Sequence, residues 1–448
     1  MKFINNSNDL SKHLDISIIK GVLIKNISID TRTIKKNALF IAINGINFNG
    51  NDFVEDAFKK GASIAIVDDK RFLKTKDKRI IYVKNSIQAL KKISKSIIRS
   101  YQGKIICITG SNGKTSTTNI IASVLKSSSK TISNFNNEIG VPLSIMNASS
   151  KSKNIVLEIG ASKFNDINYL SKIIQPSIGV ITNIGNSHLD TLKNINGVLK
   201  VKSEVVKNIQ KGGYLVVPNE NKKHLEHWKK IRNDIEIKTF GMSKSADFYP
   251  TKINIGVNGV SFVIASKLIE KEIQIKASLE GEHNIKNILA SFAVHYCLRE
   301  DQKSFANAIN SKHFKNVRQM KSKWIKGSTL INDTYNANPD STKKSIDLLS
   351  NYKKNTVLVL GDMLELGRYK NKLHKEIGKY AKAKGINKLL GYGNLAKQTT
   401  GSFGKNGIFF KKEDDLKAYL KENITSKDVI LIKGSRGMKM ERFIDVWI

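Results

Sequence analysis

The chain has 448 residues, 40% of them apolar, two cysteines and a formal net charge of +38. That length calls for two to four domains. Two distant cysteines exclude a disulfide framework, and no apolar run is long enough to cross a bilayer. The basic residues are mostly lysines scattered among abundant Ile and Asn, the residues that A/T-rich codons encode, rather than arginines and aromatics gathered on one stripe. That scatter argues against nucleic acid as a partner, although a positive surface still steers anionic substrates inward. Met1 to Ser7 lacks the apolar core of a signal peptide. A cytoplasmic protein, not inserted in a membrane, is expected.

The first stretch reads as a small α/β unit. Strands are predicted at 38–43, 63–67 and 79–83, with a helix over 52–60 that stops at Gly61. Ile87, Leu90, Ile93, Ile97, Ile98 and Tyr101 recur at helical spacing, so 86–101 is predicted to be an amphipathic connecting helix. From 104 the pattern becomes alternating β and α, with strands predicted at 104–109, 155–159, 178–182 and 214–217. These Ile/Val runs lack polar alternation, as suits strands buried on both faces of a parallel sheet.

The first of these strands leads into Thr109-Gly110-Ser111-Asn112-Gly113-Lys114-Thr115-Ser116 and then a helical segment. Strand, glycine turn, lysine, hydroxyl and helix N-terminus together make a phosphate cradle. Gly110 and Gly113 let backbone N–H groups approach anionic oxygens. Lys114 brings a positive charge to the terminal phosphates, and the Thr115 hydroxyl suits Mg²⁺. The loop is shorter than the general nucleotide pattern, because Ile108 stands where a first glycine belongs. ATP binding is expected.

Glu158 closes the next strand, where open α/β sheets bind ligands and where Mg·ATP needs an oxygen ligand. Thr182-Asn183-Ile184-Gly185 ends the following strand, and His188 just beyond it suits a metal or a phosphate. The segment 198–204 looks helical, and Lys202 taken singly reads as a surface lysine. His224 and His227, set among four lysines, read as a solvated helix face. Over 251–279 the pattern alternates around Asn258-Gly259, the signal of a hairpin whose turn takes positive φ angles. Past 313 a second α/β pattern follows, with strands predicted at 329–333, 356–360 and 428–432.

These residues together resemble the Mur ligases, ATP-dependent amide-forming enzymes of bacterial cell-wall synthesis, over essentially the whole length. The short loop 109–115 looks like their phosphate loop, and 134–142 resembles the segment that follows it. Glu158, the turn 182–185 and His188 match the family's metal and phosphate positions. Lys202, fourteen residues after His188, falls where these ligases carry a carbamylated lysine. Gly281-Glu282-His283-Asn284-Ile285-Lys286-Asn287 resembles the motif near the adenine, and Arg318 the arginine that opens the last domain. Within the family, 333–341, 361–367 and 433–437 resemble the member that joins D-alanyl-D-alanine to a UDP-N-acetylmuramoyl-tripeptide. Ser28-Ile29-Asp30-Thr31-Arg32 resembles its uridine-nucleotide loop. Val317 stands where a glycine is usual, and Asn332-Asp333 where two aspartates are. The Asp-Asn-Pro-Arg motif of the ligase that adds the third peptide residue is absent.

The resemblance implies three α/β domains. These are a small N-terminal domain for the UDP-sugar peptide (1–84), a central parallel-sheet phosphate-loop domain for ATP (85–312) and a Rossmann-like C-terminal ligase domain (313–448). It implies that Lys114, His188 and Lys202 are catalytic. Mg²⁺ ions, about two, would sit on Thr115, Glu158, His188 and carbamylated Lys202. ATP would be held by Gly110, Ser111, Asn112, Gly113, Lys114, Thr115, Ser116, Asn284, Asn287, Arg318, Tyr335 and Asn336. The other substrates would be held by Asp30, Thr31, Arg32, Asn136, Asn137, Asn338, Lys433, Ser435 and Arg436. It further implies an acyl-phosphate route and a monomer. Two rivals remain at this point. One is a folylpolyglutamate-type ligase, which lacks the 335–339 segment. The other is a nucleic-acid-stimulated ATPase, which would need no peptide substrate.

Overall fold

A computed structural model describes residues 2–45, 48–311, 320–352 and 354–444. Residues 312–319, with Arg318 and Val317 among them, lie outside the described residues. The first sheet has four parallel strands in chain order: Asn26–Ser28, Ala38–Ile41, Ala62–Val67 and Ile80–Tyr82. Its side chains alternate between two cores, as the period of two requires. Phe40, Ala65 and Val67 pack with Val54 and Ala57 of the helix Val54–Lys59. Leu39, Ile41, Ile64 and Ile66 face the other way, into a much larger cluster.

That larger cluster runs through the helix Ser86–Ser100, started by the Asn85 side chain, which accepts from Gln88 N–H. Leu90, Ile93 and Ile97 of this helix pack with Val141, Leu143 and Ile145, and the same core continues to Trp228 and Ile235. One core therefore joins the first sheet to the second, although the sheets are separate. The amphipathic period seen over 86–101 is the seam between them.

The second sheet is parallel throughout, in the order Glu236–Phe240, Tyr214–Pro218, Ile178–Ile181, Lys104–Thr109, Asn154–Glu158, Ser128–Lys130. The chain leaves Lys104–Thr109 to one side and later returns on its other side, which makes the C-terminal end of that strand a topological switch point. The helices Lys114–Val124 and Glu282–Cys297 cover one face, and Ile120, Ile121, Ile285, Ile288 and Leu289 share its core.

The antiparallel extension is present as Tyr249–Gly256, Gly259–Ala265 and Ile273–Ala277. Its tight turn sits one residue earlier than the sequence signal suggested. Gly256 pairs with Gly259, so Val257-Asn258 form the tip. At the turn Gly259 has positive φ, +137°, and a Cβ there would run into the backbone of Ala277. The last sheet orders Met320–Lys323, Thr329–Asp333, Asp428–Lys433, Asn355–Gly361, Lys388–Tyr392 and Gly407–Phe410, parallel except for its first strand.

Several strands were not foreseen. Ser128–Lys130 carries no apolar side chain, and Asn26–Ser28 has a single one. Pairing to a long neighbour, rather than their own pattern, makes them strands. Two side-chain expectations are also corrected. Lys202 is 1% exposed, not a surface lysine, because the helix Ile195–Lys202 ends in the core, with Val198 and Val201 buried on it. His224 and His227 are half-buried rather than solvated, and burial lowers both imidazole pKa values. His224 lies 6.0 Å from Trp228. Trp228 is fully buried and donates from Nε1 to Ser203 Oγ at 2.8 Å, next to Lys202 in sequence. Trp228→Ala is expected to cost about 3–5 kcal/mol of stability, as large aromatic deletions do. Trp228→Phe should cost far less, and chemical denaturation of the two variants measures the difference.

Candidate active site

The phosphate loop is shaped by its neighbours as much as by its own sequence. Gly110 has φ +142°, and a Cβ there would collide with Thr182 Oγ1. Thr182 Oγ1 instead donates within the loop, 2.6 Å from Asn112 O. Asn183 Oδ1 accepts from Asn112 N–H at 2.8 Å, and Ser111 Oγ donates to Gly185 O at 3.0 Å. The Thr182–Gly185 turn is thus the floor of the loop. Gly113, with φ +79°, starts the helix Lys114–Val124, whose N-terminal N–H groups and dipole favour an anion.

Lys114 curls over its own loop, donating from Nζ to Gly110 O at 2.8 Å and approaching Ser111 O at 3.4 Å. Thr115 Oγ1 donates to Glu158 Oε2 at 2.7 Å, and Asn136 Nδ2 donates to Glu158 Oε1 at 2.8 Å. Asn137 braces the turn before the helix Gly140–Met146, its Oδ1 accepting from Gly140 N–H at 2.9 Å. Asn284 and Asn287 are joined at 3.0 Å, and Asn287 Oδ1 lies 3.4 Å from Thr117 Oγ1, so this pair backs the loop.

Lys202 is the least ordinary group here. It makes no hydrogen bond or ion pair among the described residues, yet it is buried beneath Lys114, with Asp166, Glu204 and Glu158 around it. Burial pushes its pKa down to about 7, helped by the charge of Lys114 and opposed by the three carboxylates. An amine in that state has a substantial uncharged, nucleophilic fraction at neutral pH.

The last domain closes the other wall. Asn338 caps the helix Pro339–Ser350 in a reciprocal capping box, and its Nδ2 reaches Asn112 Oδ1 at 2.8 Å. Asp340 Oδ2 accepts from Asn186 N–H at 2.7 Å. His188 Nδ1 lies 2.6 Å from Glu365 Oε2, a charge contact too oblique to be an aligned hydrogen bond, and Glu365 O accepts from Asp190 N–H at 3.1 Å. The imidazole holds the Glu365 carboxyl below the usual carboxylate range. Between these walls is a cleft of about 1220 Å³. A drug-sized ligand fills roughly 300–1,000 Å³, so the space admits more than one substrate.

Of the residues singled out from sequence, Ser111 to Ser116, Asn136, Asn137, Glu158, His188, Asn284, Asn287, Tyr335, Asn336, Asn338 and Lys433 all line this cleft. Lys433 is buried there, paired to Asp333 Oδ2 at 2.6 Å and donating to Asn336 O at 2.9 Å. Lys202 lies behind the wall. Asp30, Thr31 and Arg32 are not among the lining residues. Their loop stands on the first sheet, with Arg32 paired to Asp30 at 2.7 Å and 85% exposed. Ser435 works within the last domain, accepting from Leu364 N–H and donating to Ala337 O, and Arg436 pairs with Glu441 at 3.0 Å. Asp340 and Glu365 received no role from sequence, although each lies inside a quoted motif. No local pattern distinguishes them, because their contacts cross between domains.

The donor set suits a hard cation only in part. Among the described residues no group of three or more His, Cys, Asp or Glu side chains is placed to hold a metal. Glu158 and the Thr115 hydroxyl offer oxygens at the loop, which fits Mg²⁺ completed by nucleotide phosphates and water rather than a protein cage.

The chain matches three family models: "Mur ligase family, catalytic domain" over residues 23–97, "Mur ligase middle domain" over 108–295 and "Mur ligase, glutamate ligase domain" over 317–436. It is 34% identical to the UDP-N-acetylmuramoyl-tripeptide–D-alanyl-D-alanine ligase of Buchnera aphidicola subsp. Baizongia pistaciae, covering 95% of this chain and 93% of that one. To the ligase of the same description from Bacillus subtilis it is 32% identical, covering 94% and 93%. The fold matches a crystal structure of MurF from Acinetobacter baumannii with a TM-score of 0.84, at 24% identity, covering 97% of this chain and 96% of that one. It also matches MurF of Thermotoga maritima in complex with ADP, with a TM-score of 0.78, at 25% identity, covering 95% and 97%.

Proposed function

The chain belongs to the Mur ligase family, and on that footing we propose that it joins D-alanyl-D-alanine to UDP-N-acetylmuramoyl-tripeptide at the expense of ATP. The observation that carries this reading is one cleft in which the phosphate loop, the Glu158–Thr115 pair and the Asn336–Asn338 segment of the last domain face each other.

The chemical difficulty is that a carboxylate must attack a phosphate. Loop N–H groups and Lys114 offset the negative charge and hold the γ-phosphoryl in line. The carboxylate ending the tripeptide forms a bond to γ-phosphorus as ADP leaves. The free amine of the dipeptide then attacks the acyl carbon, loses a proton, and phosphate departs. Thr115, Glu158 and His188 would hold magnesium, which when bound would supply further charge neutralisation at the phosphates.

Lys202 enters as a carbamate. Its low-pKa amine attacks carbon dioxide and loses a proton, which turns a buried cation into an anionic oxygen donor beside Glu158. Asp30, Thr31 and Arg32 hold the uridine nucleotide at the outer sheet. Asn338, Lys433, Ser435 and Arg436 shape the dipeptide side of the cleft, and Arg318, outside the described residues, contacts ATP. Three functional units, 1–84, 85–312 and 313–448, divide the work. The protein acts in the cytoplasm as a monomer without nucleic acid. No helix among the described residues is long and apolar enough to cross a membrane.

The test is phosphate release with each peptide substrate omitted in turn, and mass detection of the pentapeptide product. Turnover is expected only with ATP, tripeptide and dipeptide together. Equal ATP consumption without the peptides, or stimulation by DNA or RNA instead, removes the reading.

A further inference from the structure

We propose that Glu365 is a positioning residue for His188. By this reading the last domain supplies the carboxylate that fixes the imidazole toward the reacting phosphates, so the site is complete only when that domain is docked. The proposal rests on the assignment of His188 to the metal-phosphate site.

His188 sits at an awkward place. It has φ +52°, left-handed for a non-glycine residue, at the start of the four-residue helix Leu189–Leu192. Among the described residues no group of its own domain holds Nδ1, whose close partner is Glu365 Oε2 at 2.6 Å. A carboxylate 2.6 Å from Nδ1 favours the ring orientation that leaves Nε2 for an electrophile. His188 lines the cleft, so Nε2 is the nitrogen available to it.

A partly exposed carboxylate–imidazole contact between two domains is ordinarily worth little. This one is built from below. Glu365 O accepts from Asp190 N–H, two residues past His188, at 3.1 Å. At Gly367 a Cβ would come within 3.1 Å of Asp190 Cα, so the two backbones meet closely. The loop carrying Glu365 is pinned in turn by two buried side chains. Met363 N–H donates to His374 Nε2 at 3.0 Å, and Leu364 N–H donates to Ser435 Oγ at 2.8 Å. His374 Nδ1 faces Lys370 O at 2.7 Å, which assigns its proton to Nδ1 and leaves Nε2 as the acceptor. A carboxylate held this firmly against a histidine of the cleft is placed to orient it.

The test is the affinity of the ADP complex for Mn²⁺, followed by electron paramagnetic resonance, in wild type, Glu365→Ala, Glu365→Gln, His188→Ala and the double alanine variant. Loss of a carboxylate behind a metal-directed histidine weakens metal binding by about 10–100-fold, so Glu365→Ala is expected to lose about tenfold. Glu365→Gln, which keeps an oxygen of the same reach against Nδ1, should restore most of it. The double variant should be no weaker than His188→Ala. If His188→Ala weakens Mn²⁺ binding and Glu365→Ala does not, the proposal is wrong and the assignment of His188 stands. An additive loss in the double variant also overturns it, because Glu365 would then act through docking alone. If His188→Ala leaves Mn²⁺ affinity unchanged, the assignment itself is wrong and the proposal goes with it.

Discussion

Lys114→Ala should reduce phosphate release by on the order of 10²–10³-fold or more, the scale for removing one preorganised charge from a reaction centre. Its ammonium is now satisfied by the loop's own carbonyls, Gly110 O at 2.8 Å and Ser111 O at 3.4 Å. An incoming phosphate replaces those partners with a stronger, charged one. The loop geometry itself depends on Thr182 and Asn183 rather than on Lys114, so the variant should fold and melt like the wild type. It should also release Lys202 from one of the two influences that depress its pKa. Phosphate release under saturating peptides, with thermal unfolding as a control, makes the comparison. Wild-type turnover in Lys114→Ala would take the loop out of the mechanism.

The second large effect is expected at Lys202. Lys202→Ala should lose most turnover, and short carboxylic acids added to the buffer should partly restore it by lending an oxygen donor to the vacated space. No rescue would leave the carbamate unsupported. Lys202→Met should fold well, because a buried amine with no bonded partner contributes nothing that a similar apolar chain cannot. A pH dependence follows with a definite sign. The pKa is near 7, so the amine is mostly neutral above that value and mostly protonated below it. Only the neutral amine attacks carbon dioxide. Activity at fixed carbon dioxide should therefore fall as pH drops through about 7, and carbon-13 dioxide should give a carbamate signal that fades over the same range. In Lys202→Met that signal should be absent at every pH.

The two residues differ in how much the sequence said of them. Lys114 was legible because its chemistry is local. A strand, a glycine turn and a helix start fall within a dozen residues, and each leaves a mark in the pattern. Lys202 was legible only through resemblance. By itself it is one lysine among many, and its burial, its depressed pKa and its nearness to Lys114 arise from how a distant helix ends in the core.

The same division runs through the whole chain. Sequence alone determined the alternating α/β layout, the parallel-sheet strands from 104 to 218, the connecting helix over 86–101 and the phosphate loop. In each, apolar periodicity or glycine conformation acts over a few neighbouring residues. Tertiary structure decided which polar strands, such as Ser128–Lys130, would pair. It also decided that one core spans the first two sheets, and that Asn338, Asp340 and Glu365 meet Asn112, Asn186 and His188 across the cleft. Those contacts join residues more than 150 positions apart, and nothing in a local pattern records a partner that only the packing of domains brings within hydrogen-bond reach.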